Sequence, residues 1–201
     1  MSTDVNYYED FNEIEKKIWD LLTSAISDRN SEFRTPVFIC GNDNDLDGRV
    51  VVIRKASQQN NFIQYHSDIR SSKIEKIKKN PNCSILFYGK QEKIQLRLKV
   101  ECMVRFNDEI TKESWQKTGH ISRKCYLVTN GPGTKSETPT SGLNDKFDKF
   151  DYTKEESETG YKNFCVIKCK VKSIEWLYLA AKGHRRAIFD LENNKKNWLV
   201  P

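Results

Sequence analysis

The sequence predicts a mostly β fold with flanking helices, in which an antiparallel sheet closes into a barrel. Six to eight strand-like runs follow one another with short connections, whereas helical periodicity is confined to a few segments. The strand pattern is clearest between Leu96 and Glu101, where apolar and charged residues alternate. An alternating parallel sheet would need a helix between most of its strands, so the short connections favour the antiparallel barrel.

Three segments have the spacing of helices. Apolar residues recur every three to four positions over residues 10–27, which predicts an amphipathic helix within the N-terminal region 1–30. Asp68 is a candidate N-cap for a second helix that ends near Lys79, before Asn80-Pro81. Asp108 opens a third, short helix that ends near Thr118.

The strands are predicted between these helices and after them. Their expected positions are residues 35–41, 49–55, 62–66, 83–88, 94–106, 164–171, 174–179 and 185–191. Residues 129–160 are rich in Gly, Pro, Ser and Thr and have little apolar periodicity, which is typical of a long functional or disordered loop. No internal repeat is visible, and we expect one domain over residues 1–201.

Composition limits the classes of function. The chain has 34 basic and 28 acidic residues, a net charge of +6, which is too weak to indicate a nucleic-acid binder. No apolar run approaches the roughly 20 residues that span a bilayer, and the first ten residues are polar without a signal-peptide core. The sequence therefore predicts a cytoplasmic protein that does not enter a membrane.

The six cysteines do not form a recognisable metal or disulfide motif. None is part of a C-x-x-C pair, and the chain has only three histidines, so the pattern favours inert buried thiols and no metal site. Cys165 and Cys169 would share one face of a strand.

One pair of motifs carries chemistry. Arg49 and Arg54 enclose four β-branched residues, and Ser71-Ser72-Lys73 follows in the first turn of the second predicted helix. Helix N-termini have unpaired N–H groups and a positive dipole end, and together with guanidinium, ammonium and hydroxyl groups they bind phosphate. The two motifs therefore predict a phosphorylated cofactor. Taken alone, each motif also fits an ordinary strand end or helix start.

Further motifs lie at fixed spacing between residues 49 and 104. They are residues 49–54, His66-Ser67, Ser71-Ser72-Lys73, Asn80-Pro81, Phe87 and Gln95. This pattern resembles that of the pyridoxamine 5′-phosphate oxidase family, the FMN-binding split barrels. A weaker similarity continues near the C-terminus in residues 174–177, 183–186 and 198–201.

The resemblance implies a split antiparallel barrel, an FMN cofactor, and a homodimer with FMN between the subunits. Arg49, Ser72 and Lys73 would hold the FMN phosphate, with Ser71 adding a hydroxyl. The residues that would line the flavin are Val50, Val51, Val52, Ile53, Arg54, His66, Ser67, Gln95 and Leu177. A small anionic substrate would contact Arg54, Arg123, Tyr126 and Arg185. The flavin would supply the hydride chemistry of an oxidoreductase, and no side chain stands out as a general base.

The chain also departs from the family pattern. His66 replaces an aromatic hydroxyl residue, Ser72 stands where many members have a second basic residue, and residues 120–137 align poorly. Flavin binding is therefore better supported than oxidation of pyridoxamine phosphate. Two other classes stay open: a non-catalytic split barrel that binds flavin or haem, and a small basic nucleic-acid-binding barrel, which the 49–95 motifs disfavour.

Overall fold

A computed structural model describes residues 6–42 and 44–201. In these ranges nine strands form one antiparallel sheet. The strands are β1 Val37–Cys40, β2 Asp47–Val50, β3 Ile53–Ser57, β4 Phe62–Asp68, β5 Asn82–Gly89, β6 Ile94–Arg105, β7 Phe164–Tyr178, β8 Arg185–Asp190 and β9 Lys195–Leu199. The α-helices are α1 Phe11–Ser24, α2 Ser72–Lys79, α3 Glu109–Lys117, α4 His120–Arg123, α5 Asp145–Asp148 and α6 Lys154–Ser157.

The strands are hydrogen-bonded in the order β2-β1-β5-β6-β7-β4-β3, and β8 pairs with β7 and with β9. Strand β7 is long enough to pair with β4 along its first half and with β8 along its second half. The antiparallel sheet with short helices around it confirms the predicted fold class, a split barrel. The edge strands β2 and β3 are consecutive in the chain and do not pair with each other in the part that the structure describes.

The core follows from the period-2 alternation of the long strands. In β6, the side chains of Ile94, Leu96, Leu98 and Val100 are buried, whereas the residues between them face outward. Burying one such aliphatic side chain contributes about 1.5–3 kcal/mol. The inner face of the sheet is therefore the main source of stability, and its outer face is available for other roles.

Helix α1 covers part of this core. The Asp10 carboxylate accepts hydrogen bonds from two amides of the first turn and thereby caps the helix. Ile14, Ile18 and Leu22 lie on one face at a spacing of four residues, and all three are fully buried. The predicted helix over 10–27 is confirmed, with its end at Ser24.

The single strand predicted over residues 49–55 is wrong. Strand β2 ends at Val50 and pairs with β1, whereas β3 begins at Ile53 and pairs with β4. Residues 51–52 carry the chain from one edge of the sheet to the other. The run of β-branched residues predicts extended backbone correctly, but it carries no information about which strand each half pairs with.

Three other features of the secondary structure differ from the sequence prediction. β7 is one continuous strand where two were predicted, and the additional strand β9 was not predicted at all. Helix α2 has Ser71 as its N-cap residue, not Asp68. The Asp68 carboxylate instead accepts hydrogen bonds from the backbone and the guanidinium of Arg70.

The predicted long loop 129–160 contains the short helices α5 and α6. Its start is fixed beside the N-terminus of α2, because the Arg70 guanidinium donates to the carbonyls of Val128 and Thr129 at 3.2 and 3.1 Å. Residues 132–141, which follow this contact, are all exposed.

Candidate functional site

Four predicted residues meet where β2, β4 and the N-terminus of α2 come together. The Lys73 Nζ donates hydrogen bonds to the Ser67 Oγ at 2.7 Å and to the Ser71 Oγ at 3.0 Å. The Arg49 guanidinium reaches the same Ser71 hydroxyl at 3.4 Å. We refer to Arg49, Ser67, Ser71 and Lys73 as the Lys73 cradle. The cradle brings a buried ammonium, a guanidinium and two hydroxyls into one site.

The charges in the cradle are not balanced. Lys73 is 9% exposed and has no ion-pair partner among the described residues. Burial and the neighbouring positive charge of Arg49 lower the pKa of Lys73. Arg49 pairs with Asp47, but its Nε is buried and has no hydrogen-bond partner in the part of the chain that the structure describes. An anion in the cradle would satisfy both groups.

The N-terminus of α2 adds donors to the same place. Ser71 occupies the N-cap position, yet its hydroxyl makes no capping bond to the helix and accepts from Lys73 and Arg49 instead. The first amides of α2 are therefore not used by the usual capping contact. Ser72 is the first residue of α2, and its side chain is exposed. The residues present fit a phosphate group.

The backbone that follows Arg49 leads away from the cradle. Val51 and Ile53 turn their side chains into the core, whereas Val50 is 64% exposed and Val52 is half-buried. This alternation leaves an extended strip of backbone from the cradle towards Arg54. The two arginines of the motif thus lie at opposite ends of this strip, Arg49 on β2 and Arg54 on β3.

Arg54 lines a cavity of about 530 Å³ between the outer face of β4 and helices α3 and α4. We call this cavity the β4–α3 pocket. The side chains that define it are Arg54 and Lys55 of β3, Phe62, Gln64 and His66 of β4, and Lys168 of β7. Burial and the positive charge of Arg54 lower the pKa of His66 to about 3, so its imidazole is neutral near pH 7. The sequence prediction placed Arg54 and His66 together, and the structure brings them together here.

Gln95 and Leu177 lie elsewhere, on the outer face of the sheet. They are direct partners across β6 and β7, and the same row continues to Tyr88 on β5 and Arg186 on β8. Among the described residues, no hydrogen bond or ion pair connects this row with the Lys73 cradle. Arg185 of β8 is the cross-strand partner of Tyr178 on β7. Its guanidinium lies 3.6 Å from a carboxylate oxygen of Glu9.

Arg123 has a different environment from the one the resemblance implies. Its guanidinium is 1% exposed, and all three nitrogens donate hydrogen bonds: to the carbonyls of Thr118 and Trp115, and to Glu158. It also packs over the Trp115 ring, 4.6 Å from the ring centre. A substrate could reach Arg123 only if these bonds opened. Tyr126 is buried in a small hydrophobic cluster with Trp115 and Phe164, and burial raises the pKa of its hydroxyl.

Sequence reasoning missed several residues of the β4–α3 pocket. Lys55, Gln64 and Lys168 line it, but they are far apart in the sequence and only the strand register makes them neighbours. The one signal available beforehand was the alternation along β4, which sets Phe62, Gln64 and His66 on one face.

The comparison with protein families bears directly on the cradle. Residues 17–105 match the family model described as pyridoxamine 5′-phosphate oxidase, FMN-binding domain. The resemblance to the pyridoxamine 5′-phosphate oxidase family is confirmed. The matched stretch contains the Lys73 cradle, Arg54, His66 and Gln95 and ends before Arg123, Tyr126, Leu177 and Arg185.

Solved structures share the fold. The chain is 16% identical to a pyridoxamine 5′-phosphate oxidase-related, FMN-binding protein of Nostoc punctiforme, with a TM-score of 0.72 over 92% of this chain and 96% of that one. PhzG of Burkholderia lata, solved with tetrahydrophenazine-1-carboxylic acid, is 13% identical, with a TM-score of 0.71 over 100% of both chains. A protein of Clostridium acetobutylicum related to general stress protein 26 is 9% identical, with a TM-score of 0.53 over 91% and 98%.

No curated protein matches the sequence at a significant level. Within the described ranges, no helix has the length and apolar character needed to cross a membrane.

Proposed function

We propose that the chain is an FMN-dependent oxidoreductase that works as a homodimer on a small anionic substrate, with residues 1–201 forming one FMN-binding domain. The observation that carries the proposal is the Lys73 cradle. Without a ligand the cradle has three unfavourable features. They are a buried ammonium without a carboxylate partner, a buried guanidinium nitrogen without a hydrogen-bond acceptor, and a helix N-terminus without a side-chain cap. A phosphate monoester compensates all three.

The remaining roles follow from the strip of backbone between Arg49 and Arg54. With the FMN phosphate in the cradle, the flavin ring would extend along this strip towards the β4–α3 pocket. Bound FMN would supply the capacity to accept a hydride. Arg54 would place a positive charge beside the ring, which favours the negative charge of the reduced form. The neutral imidazole of His66 would line the ring without adding charge.

The proposed dimer would complete this site. Gln95 and Leu177 lie on the outer sheet face, where Val50 and Tyr88 are 64% and 50% exposed. Leu86 and Ile188 lie on the neighbouring row of the same face, on either side of the Arg97–Glu175 ion pair. A second copy that covers this mixed face would bring its own Gln95 amide to a flavin held by the first copy.

One structural relative supports an anionic substrate. The Burkholderia PhzG structure contains tetrahydrophenazine-1-carboxylic acid, an organic acid that carries one carboxylate. Arg54 and the lysines of the β4–α3 pocket would attract a substrate of that charge.

FMN and riboflavin separate the cradle from the rest of the site, because only FMN carries the phosphate. We expect the wild type to bind FMN far more tightly than riboflavin in a fluorescence titration. Lys73→Ala should weaken FMN binding by roughly ten- to a hundredfold, the range for a lost charge-assisted hydrogen bond, and leave riboflavin binding unchanged. Lys79→Ala, an exposed lysine at the other end of α2, is the matched control. Equal affinity for both flavins would refute the role of the cradle.

Turnover requires a second measurement. The FMN-loaded protein should lose its yellow colour under anaerobic conditions when NAD(P)H or a candidate substrate is added, and oxygen should restore it. Stable binding of FMN with no reduction by any donor tested would favour the non-catalytic alternative.

A further inference from the structure

Four of the five buried cysteines gather in the main hydrophobic core. Cys40, Cys83, Cys102 and Cys169 belong to β1, β5, β6 and β7, and all four lie near the Tyr65 hydroxyl. The sequence pattern favours isolated, inert thiols at these positions, because the cysteines are far apart in the chain. Only the pairing of the strands brings them together.

Two of these thiols are in direct contact. Cys102 and Cys169 are cross-strand partners on β6 and β7, and the Cys102 Sγ donates to the Cys169 Sγ at 3.3 Å. Both cysteines are free thiols in this structure. The sulfur atoms of a disulfide are about 2.05 Å apart, so a bond requires the two atoms to approach by only a little more than about 1 Å.

The backbone around this pair also suits a covalent link. The Cys102 amide donates to the Pro81 carbonyl at 2.8 Å, on the side of β5, and therefore does not point towards β7. The Val171 amide donates to Asn61 on the side of β4, and Cys169, two residues earlier in β7, has the same orientation. Cys102 and Cys169 thus form a non-hydrogen-bonded antiparallel pair, in which the Cα atoms are about 4.5 Å apart and the side chains are closest. That distance lies within the range of about 4.4–6.8 Å found for disulfides.

We propose that Cys102 and Cys169 are a redox modification site, at which hydrogen peroxide converts the two thiols into a reversible cross-strand disulfide. Cys102 is 5% exposed and Cys169 is fully buried, so the Cys102 sulfur attacks the peroxide. The O–O bond breaks, one oxygen leaves as water, and Cys102 becomes a sulfenic acid. The Cys169 sulfur then attacks the Cys102 sulfur, the S–S bond forms, and the hydroxyl leaves as a second water. The two thiols lose two electrons and two protons, and one peroxide becomes two waters.

The surroundings of the pair set the speed of this reaction. The contact with Cys169 and burial raise the pKa of the Cys102 thiol, so little thiolate is present at neutral pH. Because the thiolate is the reactive form, oxidation is slow. The pair therefore responds to sustained exposure to peroxide and is not a peroxidase centre.

The disulfide would tie together the two ends of one large excursion of the chain. Residues 103–168, which lie between the two cysteines, contain helices α3, α4, α5 and α6. A bond at the base of this excursion restricts the unfolded chain and leaves the native strand pairing unchanged. We expect the melting temperature to rise by about 5 °C or more on oxidation.

Peroxide treatment followed by peptide mapping tests the assignment. The full chain is used as the Cys125→Ser variant, because the exposed Cys125 thiol can link two copies. After incubation with hydrogen peroxide, mass spectrometry under non-reducing conditions should find the peptides of Cys102 and Cys169 joined, with two fewer free thiols. Dithiothreitol should reverse both the link and the rise in melting temperature. The same result is expected with and without bound FMN, so it does not depend on the proposed flavin function.

Matched variants in the same background locate the bond. Cys102→Ala and, separately, Cys169→Ala should abolish the shift in melting temperature on oxidation. Each variant is compared with its own reduced form, so the cost of the substitution itself cancels. Cys40→Ala, at a buried thiol of the same cluster, is the control and should keep both the link and the shift.

Three results would overturn the proposal. They are thiols that stay free after prolonged exposure of the folded protein to peroxide, a disulfide that forms only after unfolding in urea, and a disulfide that joins Cys83 to Cys102 in preference to Cys169. Oxidation of Cys102 to a sulfinic acid without any disulfide would equally show that Cys169 does not act as its partner.

Discussion

Lys73 Nζ lies 2.7 Å from Ser67 Oγ, and this contact joins helix α2 to strand β4 at the point where both face Arg49. The ammonium is buried, and the groups that solvate it are two hydroxyls without negative charge. Because a desolvated charge without a counterion is costly, the ligand-free protein stores an electrostatic penalty in the cradle. The same penalty is what makes the cradle selective for an anion.

Replacing Lys73 with an apolar residue of similar length should therefore stabilise the empty protein. We expect Lys73→Met to raise the free energy of unfolding by about 1 kcal/mol in the absence of flavin, since it removes a buried, uncompensated charge beside Arg49. With saturating FMN the order should reverse, because only the wild type gains stability from tight binding. Chemical denaturation of both proteins, with and without FMN, measures this crossing. Lys79→Met is the control and should differ from the wild type by less than about 0.5 kcal/mol in both conditions.

His66 gives a second prediction, on the pH dependence of stability. Its pKa in the folded protein is about 3, whereas an exposed histidine titrates near 6.5. Between these values the unfolded chain binds a proton that the folded protein does not, so the contribution of His66 to stability falls as the pH decreases from about 6.5 towards 3. The limiting slope for one such proton is about 1.4 kcal/mol per pH unit.

The measurement is urea denaturation at several pH values between 7 and 4.5. We expect His66→Phe to lose less stability than the wild type over this interval, while the exposed His184→Phe loses as much as the wild type. If the wild type and His66→Phe have the same pH dependence, His66 is not held neutral by its surroundings.

Much of the fold could be predicted from the sequence, because local patterns determine it. The alternation along β6 and the spacing of Ile14, Ile18 and Leu22 in α1 report burial directly. The division of residues 49–55 between β2, which pairs with β1, and β3, which pairs with β4, could not be predicted, because these residues have the composition of one continuous strand. A run of β-branched residues predicts extended backbone but not where one strand ends and the next begins.

The same distinction holds for the candidate site. Arg49, Ser71 and Lys73 were predicted because motif spacing along one stretch of chain carries them. Lys55 and Lys168 flank Gln64 from two other strands, and no local pattern relates residues 113 positions apart. Arg123 is the opposite case. Its sequence position predicted a substrate contact, whereas in the structure its guanidinium is buried and makes internal hydrogen bonds.

Arg123 provides a third prediction. Its nitrogens donate to two backbone carbonyls and to Glu158, and its plane covers Trp115, so it holds α3, α4 and α6 together. We expect Arg123→Ala to lower the free energy of unfolding by about 2 kcal/mol or more, because it leaves buried carbonyl oxygens without donors. Lys112→Ala, which removes an exposed ion pair with Glu109, should cost much less than Arg123→Ala.

The functional readout distinguishes this structural role from a substrate contact. We expect Arg123→Lys to lower the free energy of unfolding and to leave the KM for the substrate within about twofold of the wild type, because the hydrogen bonds of Arg123 are internal. A large rise in KM with unchanged stability would instead assign Arg123 to the substrate.

The last prediction concerns the outer sheet face and the proposed dimer. Tyr88 is half exposed and lies in one cross-strand row with Gln95 and Leu177. If a second copy packs on this face, Tyr88→Glu buries an additional negative charge in the interface, which costs enough to dissociate a dimer. We expect sedimentation to show monomers for Tyr88→Glu and dimers for the wild type. Ile121→Glu, at a somewhat more exposed apolar position on α4, should stay dimeric.

In a monomeric Tyr88→Glu variant Gln95 no longer reaches the partner's flavin, so FMN affinity should fall although the Lys73 cradle is intact. A monomeric wild type, or a monomeric Tyr88→Glu variant that binds FMN as tightly as a dimeric wild type, would show that one copy holds the flavin alone.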